Sequence, residues 1–219
     1  VTPRVLELNL TNEGGVDGTY RLLKNIMGLW LVQQCRRAFA ENGKEISYEQ
    51  LAQMASGAPA FRSLVNPNDD RFLNPPDMPK AIADFCRETN QPVPENEGQF
   101  ARCVFESLAL TYAAVLDGLE ELTGTKIDVV HVVGGGSRNT VLNSFTANAC
   151  GRPVVTGPVE ATVLGNLLVQ ARSHGEIRSL ADIRSAVRES SEVAQCDPEN
   201  TDSWKDARGR FAELSRRKA

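Results

Sequence analysis

Long apolar runs are missing from this chain: no hydrophobic stretch approaches the roughly 18–20 residues that a bilayer-spanning helix requires. The first residues, VTPRVLELNL, also lack the pattern of a secretory signal. Histidine occurs only twice, at His131 and His174, and no CxxC pair is present, so a structural metal centre lacks ligands. Basic blocks are absent apart from Arg216-Arg217-Lys218, which reads as a solvated helix end. Together with a net charge of −4, this argues against a nucleic-acid-binding face. There is no GxSxG elbow for a serine nucleophile and no GxxxxGK[ST] loop for a P-loop nucleotide site. Internal repeats and low-complexity segments are also lacking.

What is present is ordinary for a globular domain. The 219 residues are 41% hydrophobic and 24% charged, enough for one large domain or a domain with an added subdomain. Five scattered cysteines (Cys35, Cys86, Cys103, Cys150, Cys196) point to reduced, mostly buried thiols and a cytoplasmic setting. Cys86 and Cys103 fall on neighbouring expected helices, so a disulfide between them stays open as an alternative. His131, inside an alternating strand, is expected to pack in the core.

Hydrophobic spacing divides the chain. Thr19 to Asn42 reads as one amphipathic helix, and Ser47 with Gln50 forms a capping box backed by an Ile46–Leu51 staple. Residues 57–79 hold five prolines and read as an ordered loop anchored by Phe61, Phe72 and Leu73. A short helix follows around 79–89, then a long one over 97–123 with Phe100, Val104, Leu108, Tyr112, Val115 and Leu119 on one stripe, stopped by Gly124. The pattern then changes to strand 127–133, helix 139–150, strand 153–155 and helix 159–173. Ser179 caps a further helix to Glu189, and a last helix surrounds Trp204.

Two features invite a ligand. The run IDVVHVVGGGSRNTVLNS ends a β-branched strand in Gly134-Gly135-Gly136 and then enters a helix. Bare backbone there, with helix N–H groups behind it, suits a nucleotide phosphate or ribose, although a tight turn without ligand has the same composition. A Rossmann fingerprint would need glycine at 139, where Asn139 stands. Asn25 and Gln33, eight residues apart on the expected 19–42 helix, are separated by ~12 Å along its axis and ~80° around it. They can border one cleft, or simply be surface amides.

Three segments together resemble one family: TNEGGVDGTYRLLKNIMGLWLVQQCRR, NPNDDRFLNPPDMP and VVGGGSRNTVLNSFTANACGRPVVTGPVEATVLGN are similar to the C-terminal half of the FGGY carbohydrate kinases. The likeness is strongest to members that phosphorylate L-rhamnulose at its 1-hydroxyl with ATP. It implies an α/β fold of the ribonuclease-H-like type shared with actin, hexokinase and Hsp70, mostly helical with a small sheet that lacks its leading strands. Residues 1–219 would then be the incomplete C-terminal nucleotide-binding domain. The N-terminal domain, with the catalytic base and most sugar contacts, is expected upstream.

The resemblance also implies residue roles. Gln33, Gly134, Gly135, Gly136, Ser137 and Asn139 would face ATP, Asn25 would face the sugar, and no metal ligand or catalytic residue is assigned within this chain. ATP and Mg²⁺ are the implied cofactors, and a small-molecule sugar the implied partner, with neither nucleic acid nor membrane. A chain of this extent is expected to be inactive alone and to self-associate through strand edges and helix faces left open. A non-catalytic nucleotide-binding or assembly module of the same fold, and a Rossmann-type oxidoreductase, are the competing readings.

Overall fold

The computed structural model describes residues 2–216. Arg217 and Lys218 of the basic cluster lie outside the described residues, and Arg216 ends the last helix, exposed.

The N-terminal third departs most from the sequence pattern. A one-turn helix, α1 (Pro3–Glu7), precedes a hairpin of β1 (Thr11–Gly14) and β2 (Tyr20–Leu23), paired antiparallel from Thr11↔Leu23 to Gly14↔Tyr20. The expected helix over 19–42 therefore begins only with α2 (Trp30–Glu41). Leu22 and Leu23 fit a helical stripe, but their backbone bonds are taken across the hairpin, and Gly28 then turns the chain at φ +64°.

Farther on, local signals hold. In α3 (Tyr48–Gly57) the Gln50 amide N–H donates to Ser47 Oγ at 3.1 Å while Ser47 N–H donates to Gln50 Oε1 at 2.9 Å, completing the capping box. The proline-rich segment is held by fully buried Phe72, but Leu73 is 63% exposed and anchors nothing. It leads to α4 (Met78–Glu88) and α5 (Glu97–Thr123), which ends at Gly124 with φ +64°.

The centre of the molecule is α5. Every residue from Cys103 to Thr111 is buried, so its middle is enclosed on all sides rather than along one stripe. It packs against α3 and against α6 (Thr140–Cys150). Contact with α3 is close enough that a Cβ on Gly98 would lie 2.7 Å from the Met54 carbonyl oxygen. Inside this core Glu106, 1% exposed, pairs with Arg102 at 2.7 Å and accepts the Phe61 N–H at 2.8 Å. Arg102 also donates to the carbonyls of Ala55, Ser56 and Ala58, closing the C-terminus of α3. Phe61 has φ +51°, a strained value for a bulky residue. It is held at both ends, since its carbonyl accepts from Arg210 at 2.9 Å, and its ring meets Trp204 edge-on at 4.8 Å.

The second sheet is small. β3 (Val130–Val132) pairs parallel with β4 (Val154–Thr156), which pairs antiparallel with β5 (Gln195–Cys196). The strand expected over 127–133 is thus shortened to 130–132, the one expected over 153–155 is shifted by one residue, and β5 had no local signal. Helices α7 (Ala161–Ser173), α8 (Leu180–Ser190) and α9 (Thr201–Arg216) complete the chain. β3 forms an edge of the sheet; along it Val130 and Val132 are half-buried on one face while His131, on the other, is exposed instead of packed as its alternating context suggested. All five cysteines are free, Cys86 and Cys103 among them, so the disulfide left open between those two is not formed. Among the described residues no helix is long and apolar enough to cross a membrane.

Candidate functional site

The glycine turn sits where β3 ends. Gly134 has φ 82° and ψ −172°, a region reached at low energy only without a Cβ, and its N–H donates to the Pro158 carbonyl at 3.0 Å. The following residues, Gly135–Arg138, form one 3-10 turn into α6. Three bonds fix that turn from within: Ser137 Oγ donates to Gly134 O at 2.8 Å, the Leu142 N–H donates to Asn139 Oδ1 at 3.0 Å, and buried Asn143 donates to Ser137 O at 2.8 Å. Ser137 and Asn139 therefore shape the turn, and only their remaining valences face outward.

Gly135 is different. A Cβ built there would meet no atom within 4 Å, and at Gly136 it would meet only Leu29 Cδ1 at 3.9 Å. Leu29 is the N-cap residue of α2 and offers no side-chain cap, so the first N–H groups of that helix are open. Across the turn, a Cβ on Gly134 would lie 4.0 Å from the Val159 carbonyl; Glu160, next in the chain, starts α7, again without a side-chain cap. The glycine turn thus lies between two uncapped helix N-termini, each carrying partial positive charge.

Of the sequence-based candidates, Gln33 is one turn into α2, its N–H bonded to Leu29 O at 3.0 Å, and its exposed side chain makes no hydrogen bond among the described residues. The structure brings it to the same helix end as Gly136. Asn25 is exposed on the loop between β2 and α2, not on a shared helix with Gln33, so the eight-residue helical separation does not apply. That loop is pinned where Met27 N–H donates to Asn68 Oδ1 at 3.2 Å. Sequence reasoning overlooked Gly157-Pro158-Val159 as a wall of the site. The signal available was the GPVEAT stretch, present in the segment ending VVTGPVEATVLGN but given no role; in the structure a Cβ added at Gly157 would stand 3.0 Å from Val133 Cγ1, so the chain segments approach closely there.

Trp30, the first residue of α2, buries its indole Nε1 without a hydrogen-bond partner. Among the described residues no group of three or more His, Cys, Asp or Glu side chains converges on a metal position. The site is therefore built from backbone donors and amides, which suits phosphate oxygens better than a cation.

Solved structures share this architecture. Xylulose kinase from Rhodospirillum rubrum superposes with a TM-score of 0.68 at 18% identity, over 97% of this chain and 42% of that one. Glycerol kinase from Plasmodium falciparum, solved with ADP, gives 0.62 at 13% identity over 96% and 42%. The fold is the ribonuclease-H-like second domain of sugar kinases, not a doubly wound dinucleotide fold. Residues 1–174 match the C-terminal domain of the FGGY family of carbohydrate kinases, and the chain belongs to that family. Rhamnulokinase from Bacteroides thetaiotaomicron is 50% identical over 204 residues, covering 93% of this chain and 41% of that protein. Rhamnulokinase from Pectobacterium carotovorum subsp. carotovorum is 51% identical over 184 residues, covering 84% and 36%. The chain thus spans about two-fifths of the length of these curated relatives.

Proposed function

We propose that this chain forms the ATP-holding wall of a ketose kinase that acts on L-rhamnulose, transferring the γ-phosphoryl group to the 1-hydroxyl and releasing ADP. The observation that carries the reading is the open Gly135 backbone between the uncapped N-termini of α2 and α7, with the free Gln33 amide one helical turn away. Unfilled N–H donors and two helix dipoles favour phosphate oxygens there, and a side chain at Gly135 would occupy the approach. The similar glycerol kinase was solved with ADP, which supports a nucleotide as ligand of this fold. Rhamnulose as the ketose rests on the two rhamnulokinases at about half identity.

In this reading Gln33, Gly134, Gly135 and Gly136 contact the nucleotide, Ser137 and Asn139 hold the turn in shape, and Asn25 reaches toward the sugar. In-line transfer also needs a base for the hydroxyl proton and Mg²⁺ on the phosphates, and we assign both to a domain outside this chain. Cytoplasmic action fits the free thiols. Calorimetric titration with ADP tests the proposal: one saturable site is expected, abolished in Gly135→Val, with no sugar-dependent ATP consumption by this chain alone. Equal ADP binding by wild type and Gly135→Val would sink it.

A further inference from the structure

We infer a second small-molecule site, in an open-sided cavity of about 470 Å³ bordered by the end of α1 and the α1–β1 connection, the β2–α2 loop, the loop at Asn66 and Asn68, α5 and α9, that takes an amphipathic oxyanion. None of the residues assigned to the nucleotide lines it, so the inference stands apart from the proposed function. Its floor is apolar, built from Leu8, Val115 and Phe211.

The polar groups on the walls are mostly donors. Lys24 projects an ammonium whose bond goes to the Leu8 carbonyl, and among the described residues no carboxylate lies within ion-pair distance of it. Burial presses the Lys24 pKa downward, the mark of a cation short of a counter-charge. Glu7, the sole acidic residue on the lining, is engaged by Arg4 at 3.0 Å.

Asn66 and Asn68 add to this. Asn66 Oδ1 accepts the Asn68 N–H at 3.1 Å, and Asn68 Oδ1 accepts the Met27 N–H at 3.2 Å. Both amide oxygens are occupied, which leaves two NH₂ groups free as donors. An ammonium bonded to a carbonyl but without a counter-charge, and two amide donors, above an apolar floor match a carboxylate or phosphate head on a short hydrocarbon body. A cation or a neutral alcohol of the same body would leave the ammonium without a counter-charge.

Titration of the chain with hexanoate, hexyl phosphate, hexanol and hexylamine at constant ionic strength tests this. Saturable one-site binding is expected for the anions, at least tenfold tighter than for the alcohol or the amine. Binding of one anion alone supports the site and identifies its head group. Lys24→Met should weaken anion binding at least tenfold. So should Ala114→Trp, placed on an exposed lining position where folding is little affected. Hexanol binding as tightly as hexanoate overturns the assignment, a comparison that needs no variant. So does wild-type anion affinity in a folded Ala114→Trp protein.

Discussion

Leu29 Cδ1 stands 3.9 Å from the position a Cβ would take on Gly136, although 107 positions separate the two residues in the chain. This contact seats the glycine turn against the start of α2 and brings two distant motifs together. It also explains why neighbouring glycines should respond differently to substitution.

Gly135→Ala should leave stability within about 0.5–1 kcal/mol of wild type, since the new methyl meets nothing and φ is unstrained. Nucleotide affinity should nevertheless fall. Gly134→Ala, at φ +82°, should lose about 1–2 kcal/mol of stability. Urea denaturation beside ADP titration separates the two; loss of stability in Gly135→Ala without loss of binding would contradict the site.

Gly98→Ala should destabilise the core by about 1–3 kcal/mol, because its methyl would be driven to 2.7 Å from the Met54 carbonyl oxygen and α3 must move. The denaturation midpoint measures this. An unchanged midpoint would mean that α3 and α5 are not in close contact at that point.

Glu106→Ala should cost about 3 kcal/mol or more, leaving the Arg102 guanidinium buried and the Phe61 N–H unanswered. Titration of Glu106 adds a pH signature. Burial raises its folded pKa above the unfolded value, opposed only in part by the bond and charge of Arg102. The stability this titration contributes is fully present below the unfolded carboxylate value and is lost as pH rises through the raised folded value. The stability difference between wild type and Glu106→Gln should therefore shrink as pH rises above the unfolded carboxylate value of about 4. A difference that grows over this range would contradict the burial argument.

Self-association should occur through α7 and the open edge of β3. No residue of α7 is buried, Val163 and Leu167 on one of its faces are 65% and 60% exposed, and Val133 beside the edge is 54% exposed. Size-exclusion chromatography should show an oligomer that Val163→Lys with Leu167→Glu returns to monomer. Elution of the wild-type chain as a compact monomer would count against it.

Much of this molecule was legible one segment at a time. The capping boxes at Ser47 and Ser179, the left-handed stops at Gly124 and Gly151, and the span of α5 depend on residues within a turn of each other, so local chemistry alone dictates them. The triple glycine announced the tight strand-to-helix turn for the same reason. Long-range packing settled the remainder. Tyr20–Leu23 became a strand because Thr11–Gly14 was there to pair with it, and His131 is exposed because it projects from the face of β3 opposite to half-buried Val130 and Val132. Asn25 and Gln33 lost their shared helix through that hairpin, while the packing of α2 beside the glycine turn brought Leu29, one turn before Gln33, against Gly136. Backbone pairing and packing act between segments far apart in sequence, and local periodicity carries no record of which partner arrives.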